Sequence, residues 1–285
     1  MRKRYRGRIA PTPTGYMHLG HARTFLEAQR RAQEAGGDLV LRIEDLDKQR
    51  CKKEYVDALV EDLSWVGLEW NEGPDVGGEY GSYYQSERLP FFEKALCSLI
   101  DKELVYPCFC SRKDIANSIV APHSESGETI YPGTCRNNDL GSEMNPFAVN
   151  WRFRVSDGQA ISFNDAVCGN CTYTADKDFG DFLVWRKDGL PSYELAVVVD
   201  DIAMEISEVV RGEDLLLSTA RQILLYEAFE AKSPNFFHCP LVLDEKGNRL
   251  AKRSKSLGLR VLREREVSIQ DVLGNARLGD KLIYK

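Results

Sequence analysis

The stretch that decides the fold reads R-I-A-P-T-P-T-G-Y-M-H-L-G-H, from Arg8 to His21. Its short apolar start ends at Pro11, which has no N–H to give to a β-ladder. The second proline and the glycine favour a turn, and from Met17 onward apolar residues recur with helical spacing. The stretch therefore predicts a strand, a tight loop and the first turn of a helix. In an α/β sheet, such a junction binds anionic ligands, because unpaired helix N–H groups point out of it.

Two histidines lie three residues apart at this junction and therefore share one face of the predicted helix. Imidazoles in the positions of His18 and His21 can donate to phosphate oxygens while a phosphoanhydride bond breaks. Gly20 between them allows a flat group to lie close to the backbone. Taken alone, the H-x-G-H pattern more often represents two ordinary, partly exposed histidines, and the preceding A-P-T-P-T-G is what favours the functional interpretation.

The pattern continues as a βαβ unit. An amphipathic helix is predicted for residues 22–35 and ends at the glycine pair 36–37. An apolar strand follows at residues 39–43, with Glu44 and two aspartates directly after it. Charged residues beyond the carboxyl end of a parallel strand lie in the ligand crevice of such sheets.

Composition indicates a globular cytoplasmic protein. The 285 residues are 43% hydrophobic and 29% charged, and no apolar stretch reaches the length of a membrane span. The basic start is not followed by the apolar region of a signal peptide. The net charge of −6 argues against a non-specific nucleic-acid binder. Residues 232–285, however, carry twelve Lys or Arg against six Asp or Glu, which fits contact with one particular RNA or an ordinary solvated surface.

Further along the chain, spacing predicts helices at residues 52–70 and 87–102 and a strand-rich region from Trp151. The apolar run Leu195–Val199 reads as a buried parallel strand that ends at two aspartates. The next strand is followed by R-G-E-D, which starts at Arg211. This arginine is therefore predicted to lie at the same crevice.

Cysteine spacing indicates a metal site. Cys108 and Cys110 form C-x-C, and Cys135 follows about twenty-five residues later. Two soft ligands from one turn and another from a second are typical of a structural zinc site. Tyr131 and His123 are the candidate fourth ligands, and histidine is the chemically more ordinary of the two. Three buried thiols without a metal are the alternative.

A second cysteine pair, Cys168 and Cys171, forms C-x-x-C around Gly and Asn. The pair has no obvious second pair of ligands. We interpret it as part of a β-turn between two short strands.

These motifs together identify the chain as similar to class I aminoacyl-tRNA synthetases, in the version used by the glutamate and glutamine enzymes. The H-L-G-H segment resembles their HIGH signature, and L-R-I-E-D-L-D from Leu41 resembles a glutamate-binding segment. The segment D-G-L-P-S-Y-E-L-A-V-V-V-D-D and the KMSKS-like residues 249–253 follow in the family's order. No G-x-G-x-x-G or Walker A motif is present, which argues against dehydrogenases and P-loop ATPases.

The resemblance implies a doubly wound parallel α/β sheet, the Rossmann-like catalytic domain of class I synthetases, with an inserted zinc-binding subdomain. The expected order is a first half at residues 1–105, the insertion at 106–190 and a second half at 191–285. No anticodon-binding domain is expected, and we expect a monomer.

The resemblance also assigns residues to roles. For catalysis it implies His18, His21 and Lys252. The implied ATP contacts are His18, Gly20, His21, Lys252 and Arg253. The implied glutamate contacts are Arg8, Ala10, Thr12, Glu44, Tyr193 and Arg211, with Glu44 facing the α-amino group and Arg211 the γ-carboxylate. The implied zinc ligands are Cys108, Cys110, Tyr131 and Cys135, the tyrosine form being that of the short paralogues. Two departures stand in the KMSKS-like loop, where Arg249 replaces lysine and Ala251 replaces a hydroxyl residue.

The implied reaction is activation of L-glutamate by ATP, with Mg²⁺, to glutamyl-adenylate. For the short paralogue, the glutamyl group then passes to the queuosine base in the anticodon of tRNA(Asp). Zinc is expected as one structural ion. The alternatives are a truncated glutamyl-tRNA synthetase that charges the tRNA 3′ end and a catalytically silent RNA-binding paralogue.

Overall fold

The structure is a computed structural model that describes residues 4–111, 113–115, 130–141, 143–241 and 258–267. Its strands, in chain order, are β1 Arg6–Ile9, β2 Asp38–Leu41, β3 Val105–Cys108, β4 Asn150–Phe153, β5 Ala160–Asp165, β6 Gly169–Thr174, β7 Phe182–Arg186, β8 Leu190–Pro191, β9 Glu208–Gly212 and β10 Asn235–Cys239. Its α-helices are α1 Leu19–Glu34, α2 Lys53–Trp65, α3 Leu89–Asp101, α4 Tyr193–Ala203, α5 Leu216–Ala228 and α6 Leu259–Glu264.

The described residues form two compact units. The first takes its residues from Met1–Glu87, Ile206–Asp214 and Pro234–Lys285, and the second from Arg88–Glu205 and Leu215–Ser233. Each unit therefore contains more than one segment of the chain. The three-part order expected from the sequence, with boundaries after residues 105 and 190, stays a prediction. No helix among the described residues is long and apolar enough to cross a membrane.

The first unit is built on parallel strands. β1 pairs with β2, and β9 pairs with β10, each in parallel register. The Ser207 N–H, just before β9, donates to the Arg6 carbonyl of β1 at 2.9 Å, so β9 lies beside β1. Parallel strands place their carboxyl ends at one edge, and this edge carries the residues that follow β1, β2 and β9.

Helix α1 packs its apolar face on these strands. Ala22, Phe25 and Ala28 are buried in a core shared with Ile9 and Leu41. The spacing of the three helix residues is that of one helical face, as the sequence predicts. The predicted helix is thus confirmed, and it begins at Leu19, two residues after the helical pattern starts at Met17.

A partly buried ion pair fixes α1 to the sheet. Both oxygens of Glu208 accept from the Arg31 guanidinium, each at 2.7 Å. The Tyr5 hydroxyl also donates to Glu208, at 2.8 Å. The helix ends where Gly36 takes a φ of +59°, a left-handed conformation that glycine adopts without strain. The predicted glycine stop of this helix is therefore confirmed.

The second unit contains an antiparallel sheet in the order β3-β4-β7-β8. Strands β5 and β6 form a hairpin and pair antiparallel, with Ala160 opposite Thr174. Helices α3, α4 and α5 belong to the same unit. Within it, the fully buried Asp200 accepts from the Arg88 Nε at 2.6 Å, and this pair joins α4 to the residue that caps α3.

The sequence prediction of a parallel strand at Leu195–Val199 is wrong. These residues lie in helix α4, which begins at Tyr193. The Ser192 hydroxyl caps the helix by accepting from the Leu195 N–H at 3.3 Å. An apolar run buried on all sides looks the same in a central strand and in a central helix, so periodicity could not separate the two.

Candidate active site and metal centre

The first signature forms the junction that its sequence predicts. β1 ends at Ile9, and the loop leads to His18, the N-cap of helix α1. The His18 Nδ1 accepts from the Gly20 N–H at 3.2 Å. This contact uses one of the unpaired donors of the first turn and fixes the imidazole ring at the helix N-terminus.

The second histidine stacks on the first. The ring centroids of His18 and His21 are 3.8 Å apart with an interplanar angle of 28°. Both side chains are half-buried, and Thr12 in the loop before them is exposed. Because His18 Nδ1 is an acceptor, its Nε2 carries the ring proton in the neutral form and can donate to a ligand. The geometry therefore provides a helix N-terminus and two adjacent imidazoles for an anionic group.

The predicted glutamate contacts of the first unit lie near the ends of its parallel strands. Arg8 in β1 is buried, and its Nη1 donates to the Val210 carbonyl of β9 at 3.2 Å. Ala10 directly follows β1 and is half-buried. Arg8 is thus held against the strand that carries Arg211.

Glu44 follows β2 and is also buried. Its backbone N–H donates to the Pro11 carbonyl of the signature loop at 3.0 Å. Its carboxylate accepts from the Arg42 Nη2 at 3.1 Å, and Arg42 is fully buried. The backbone bond therefore ties the acidic strand end to the signature loop.

Arg211 stands at the end of β9, directly opposite His238 of β10. Its Nε donates to the His238 Nε2 at 3.1 Å. The sequence did not indicate His238. The signal that could have found it is the parallel register of the two strands, which places it level with Arg211.

Tyr193 belongs to the second unit, where it is the first residue of α4 and 38% exposed. Its predicted contact with glutamate stays a prediction. Lys252 and Arg253 lie outside the described residues, as does the whole KMSKS-like segment.

The next described residues, Gly258 and Leu259, contact the first signature. His18 and Gly258 form an antiparallel β-bridge, and the Leu259 N–H donates to the Met17 carbonyl at 2.9 Å. Leu259 begins α6 and is buried in the core of the first unit. Gly258 and Leu259 therefore lie beside the residues of the first signature that precede helix α1.

Three cysteines meet in the second unit. The Sγ atoms of Cys108, Cys110 and Cys135 all lie within 4.8 Å of one another, and these thiols could hold a metal ion. The Cys110 and Cys135 Sγ atoms are 3.5 Å apart. Two sulfurs bound to one tetrahedral zinc at about 2.3 Å are separated by roughly 3.8 Å, so the cluster is close to the size that zinc requires.

Tyr131 brings a fourth donor to the cluster. Its hydroxyl oxygen lies 3.5 Å from the sulfurs of both Cys108 and Cys110. The Cys135 N–H also donates to this oxygen, at 2.9 Å. His123, the alternative fourth ligand, lies outside the described residues. The donor set of three sulfurs and one oxygen around a common centre fits a metal ion.

Burial raises the pKa of the Tyr131 phenol above its ordinary value, and the hydrogen bonds to the neighbouring thiols raise it further. The phenol therefore stays neutral unless a cation is bound beside it. A bound metal reverses this balance, because its charge stabilises the phenolate.

Arg152 brings a positive charge into contact with this cluster. Its Nε donates to the Cys108 Sγ at 3.3 Å, and its guanidinium carbon stands 3.8 Å above the centre of the Tyr131 ring. The Asp181 carbonyl accepts from the Nη1 of the same arginine at 2.9 Å. The guanidinium thus supplies positive charge to a site whose ligands become anionic on metal binding.

The second cysteine pair lies on the β5–β6 hairpin, as predicted. Cys168 is exposed in the turn, and Cys171 lies within β6. Asp165 holds the turn by accepting the backbone N–H groups of residues 167 and 168 at 2.9 and 2.8 Å. The interpretation of this segment as a turn between two short strands is confirmed.

Comparison with known proteins agrees with these features. Residues 4–275 match the family described as tRNA synthetases class I (E and Q), catalytic domain. A glutamyl-Q tRNA(Asp) synthetase of Nitratidesulfovibrio vulgaris is 44% identical over 94% of this chain and 84% of its own length. A glutamate–tRNA ligase of a Hydrogenobaculum species is 40% identical over 91% of this chain, and the match covers 54% of its own length.

Solved structures show the same relationship. The crystal structure of a glutamate tRNA ligase from Elizabethkingia meningosepticum, in complex with its amino acid, superimposes with a TM-score of 0.76 and 31% identity. The match covers 88% of this chain and 52% of that one. The chain thus spans about half the length of the glutamate–tRNA ligases that it matches.

Proposed function

The chain belongs to the family of class I tRNA synthetase catalytic domains for glutamate and glutamine, and we propose that it is a ligase acting on L-glutamate, ATP and tRNA(Asp). In the first step, a glutamate α-carboxylate oxygen attacks the α-phosphorus of ATP. The bond from this phosphorus to the β-bridging oxygen breaks, and pyrophosphate leaves with the electron pair. In the second step, a hydroxyl oxygen of the queuosine cyclopentenediol attacks the adenylate carbonyl carbon. The bond from this carbon to the phosphate oxygen breaks, AMP leaves with the electron pair, and the hydroxyl proton is released to solvent.

In this proposal, residues of the first signature contact the phosphates of ATP. The imidazoles of His18 and His21 stabilise the charge that develops on the phosphates, and Gly20 leaves room for the adenine nucleotide. Lys252 and Arg253 add positive charge near the leaving pyrophosphate. This role is supported by the bridge between His18 and Gly258, which follows Arg253 by five residues in the sequence. Mg²⁺ bound with ATP would offset part of the negative charge of the triphosphate.

Residues at the ends of the parallel strands bind the glutamate. Glu44 binds the α-ammonium group, and the Arg211 guanidinium binds the γ-carboxylate through two parallel charge-assisted hydrogen bonds. Arg8, with the loop residues Ala10 and Thr12, completes the pocket in the first unit. Tyr193 is proposed as a further contact.

We also propose that the thiol cluster holds one structural zinc ion, with Cys108, Cys110, Tyr131 and Cys135 as ligands. The proposal is supported by the 3.5 Å spacings between the tyrosine oxygen and two sulfurs. A closed set of four protein ligands leaves no position for substrate, so the ion stabilises the local fold.

The observation that carries the choice of acceptor is the similarity to the glutamyl-Q tRNA(Asp) synthetase, which extends over 84% of that relative. The second candidate is a glutamate–tRNA ligase that esterifies the tRNA 3′ end. It is favoured by the 40% identity to ligases of that name. The third is an RNA-binding paralogue without catalysis.

Two assays separate the three candidates. Every group proposed to contact glutamate and ATP belongs to this chain, so pyrophosphate exchange should occur with those two substrates alone. Labelled glutamate is then offered to tRNA(Asp) prepared with and without queuosine, and the 3′ terminal adenosine is removed from the product. We expect label on the modified tRNA only, and we expect it to survive this removal. Label lost with the adenosine supports the 3′ end as acceptor. Exchange that requires added tRNA also favours this second candidate, and absence of exchange both with and without tRNA contradicts an enzyme.

A further inference from the structure

One described hydrogen bond of Arg211 joins it to His238, a residue with no assigned role. His238 is fully buried, and Arg211 is 5% exposed. The two residues face each other across the parallel strands β9 and β10, with the Arg211 Nε 3.1 Å from the His238 Nε2. Arg211 also stands 5.9 Å from the ring of Phe236, which stacks on the imidazole of His238.

The direction of this hydrogen bond is determined by chemistry. An arginine in a protein does not lose its proton, so its Nε always donates. The His238 Nε2 must therefore accept, and the imidazole is neutral with its proton on Nδ1. A protonated imidazole would direct two N–H groups at each other inside the protein.

The same bond restricts how Arg211 can bind an acid. A guanidinium grips a carboxylate through two parallel N–H donors, either its Nε with one Nη or its two Nη atoms. The Nε has one hydrogen, and that hydrogen is directed at His238. Bidentate binding at Arg211 therefore has to use the Nη1 and Nη2 edge.

We propose that His238 is a positioning residue for amino acid recognition, because it holds Arg211 so that its Nη edge faces the side-chain carboxylate of the substrate. The inference rests on the proposed function, in which that carboxylate is the γ-carboxylate of glutamate. His238 does not contact the substrate and acts through Arg211. Its acceptor atom at the Nε2 position, rather than its ring, is what recognition requires.

The test uses three substitutions in the full-length protein and measures pyrophosphate exchange. His238→Gln can place an amide oxygen near the Nε2 position, His238→Asn is polar but too short to reach Arg211, and His238→Leu removes the acceptor. We expect the KM for glutamate to rise about tenfold or more in the Asn and Leu variants, because a buried charged donor loses its partner. The KM for ATP should stay within about twofold, and His238→Gln should stay within about threefold of the parent in both constants.

Phe237→Leu is the matched control, since Phe237 lies on the same strand and its ring stacks with Arg31 rather than Arg211. This variant should lower the melting temperature and leave the KM for glutamate unchanged. An unchanged KM for glutamate in His238→Leu or His238→Asn overturns the inference. A Gln variant as impaired as the Asn variant overturns it as well, because the acceptor would then be irrelevant. If the parent protein shows no pyrophosphate exchange with any amino acid, the proposed function is contradicted and this inference falls with it.

Discussion

Replacing Asp62 by asparagine should stabilise the protein, and the gain should grow as the pH rises. Asp62 is a fully buried carboxylate on α2. Its Oδ1 lies 3.4 Å from the Arg263 Nη1 of α6, and within the described part of the chain neither oxygen accepts a hydrogen bond. Burial raises the pKa of Asp62 from 3.8 to about 6, although Arg263 and Arg260 oppose the shift. The neighbouring Glu61 and Glu264 reinforce it.

The magnitude follows from linkage. Between about pH 4 and pH 6 the folded protein retains a proton at Asp62 that the unfolded chain has lost, so stability falls as the pH rises through this window. A shift of roughly two pKa units corresponds to about 3 kcal/mol at pH 7. Asparagine has the shape of the protonated acid and never ionises. Asp62→Asn should therefore gain about 1 kcal/mol at pH 4.5 and about 3 kcal/mol at pH 7.

The assay is urea unfolding of the parent and the variant at both pH values, followed by circular dichroism. Glu61→Gln is the matched control, because Glu61 pairs with the same arginine at 2.9 Å but is 64% exposed. Loss of such an exposed pair should change stability by less than about 0.5 kcal/mol at either pH. A variant at Asp62 that is no more stable than its parent at pH 7, or whose gain is the same at both pH values, would refute the reasoning.

The remaining predictions concern the two proposed sites. Arg211→Lys keeps the charge but loses the two-pronged donor, so glutamate-dependent pyrophosphate exchange should fall by about ten- to a hundredfold. The purified protein should contain about one zinc per chain by atomic absorption, and Cys110→Ser should lose it while ATP binding persists. Tyr131→Phe should weaken zinc binding in competition with a chromogenic chelator, and unchanged affinity would remove Tyr131 from the ligand set. Arg152→Leu should lower zinc affinity about ten- to a hundredfold in the same assay, since the ligands lose their compensating charge.

Local patterns predicted the elements of the first unit well. The alternation from strand to Pro/Gly loop to helix depends on neighbouring residues, and β1, α1 and β2 occur in that order. The predicted start of α1 was less accurate, because His18, which was expected in the first turn, is the N-cap of the helix. His18 has an extended ψ of 167° and uses its side chain to satisfy a backbone donor. A cap of this kind is decided by one hydrogen bond and leaves little trace in hydrophobic spacing.

Helix α4 shows where local patterns fail. The run from Leu195 to Val198 is buried on every side, and the same helix also carries two buried aspartates before it ends at Ala203. Hydrophobic periodicity carries information only when one face of an element is exposed to water. The signal that remained was Ser192 three residues before Leu195, which is the spacing of an N-cap.

The residues that support the site residues could not be predicted from the sequence, for a different reason. Resemblance to a family assigns a role to Arg211, yet it does not reveal which side chain holds the guanidinium in place. The partner is twenty-seven residues away in sequence and is brought opposite by the parallel register of β9 and β10. The same holds for the thiol cluster, where Arg152 reaches Cys108 across forty-four residues. In both sites the residues that contact the proposed ligand could be found from the sequence, whereas the residues that orient them required the fold. Substitutions at His238 and Arg152 therefore test the structure itself, because the proposed ligand contacts stay intact while their supports are removed.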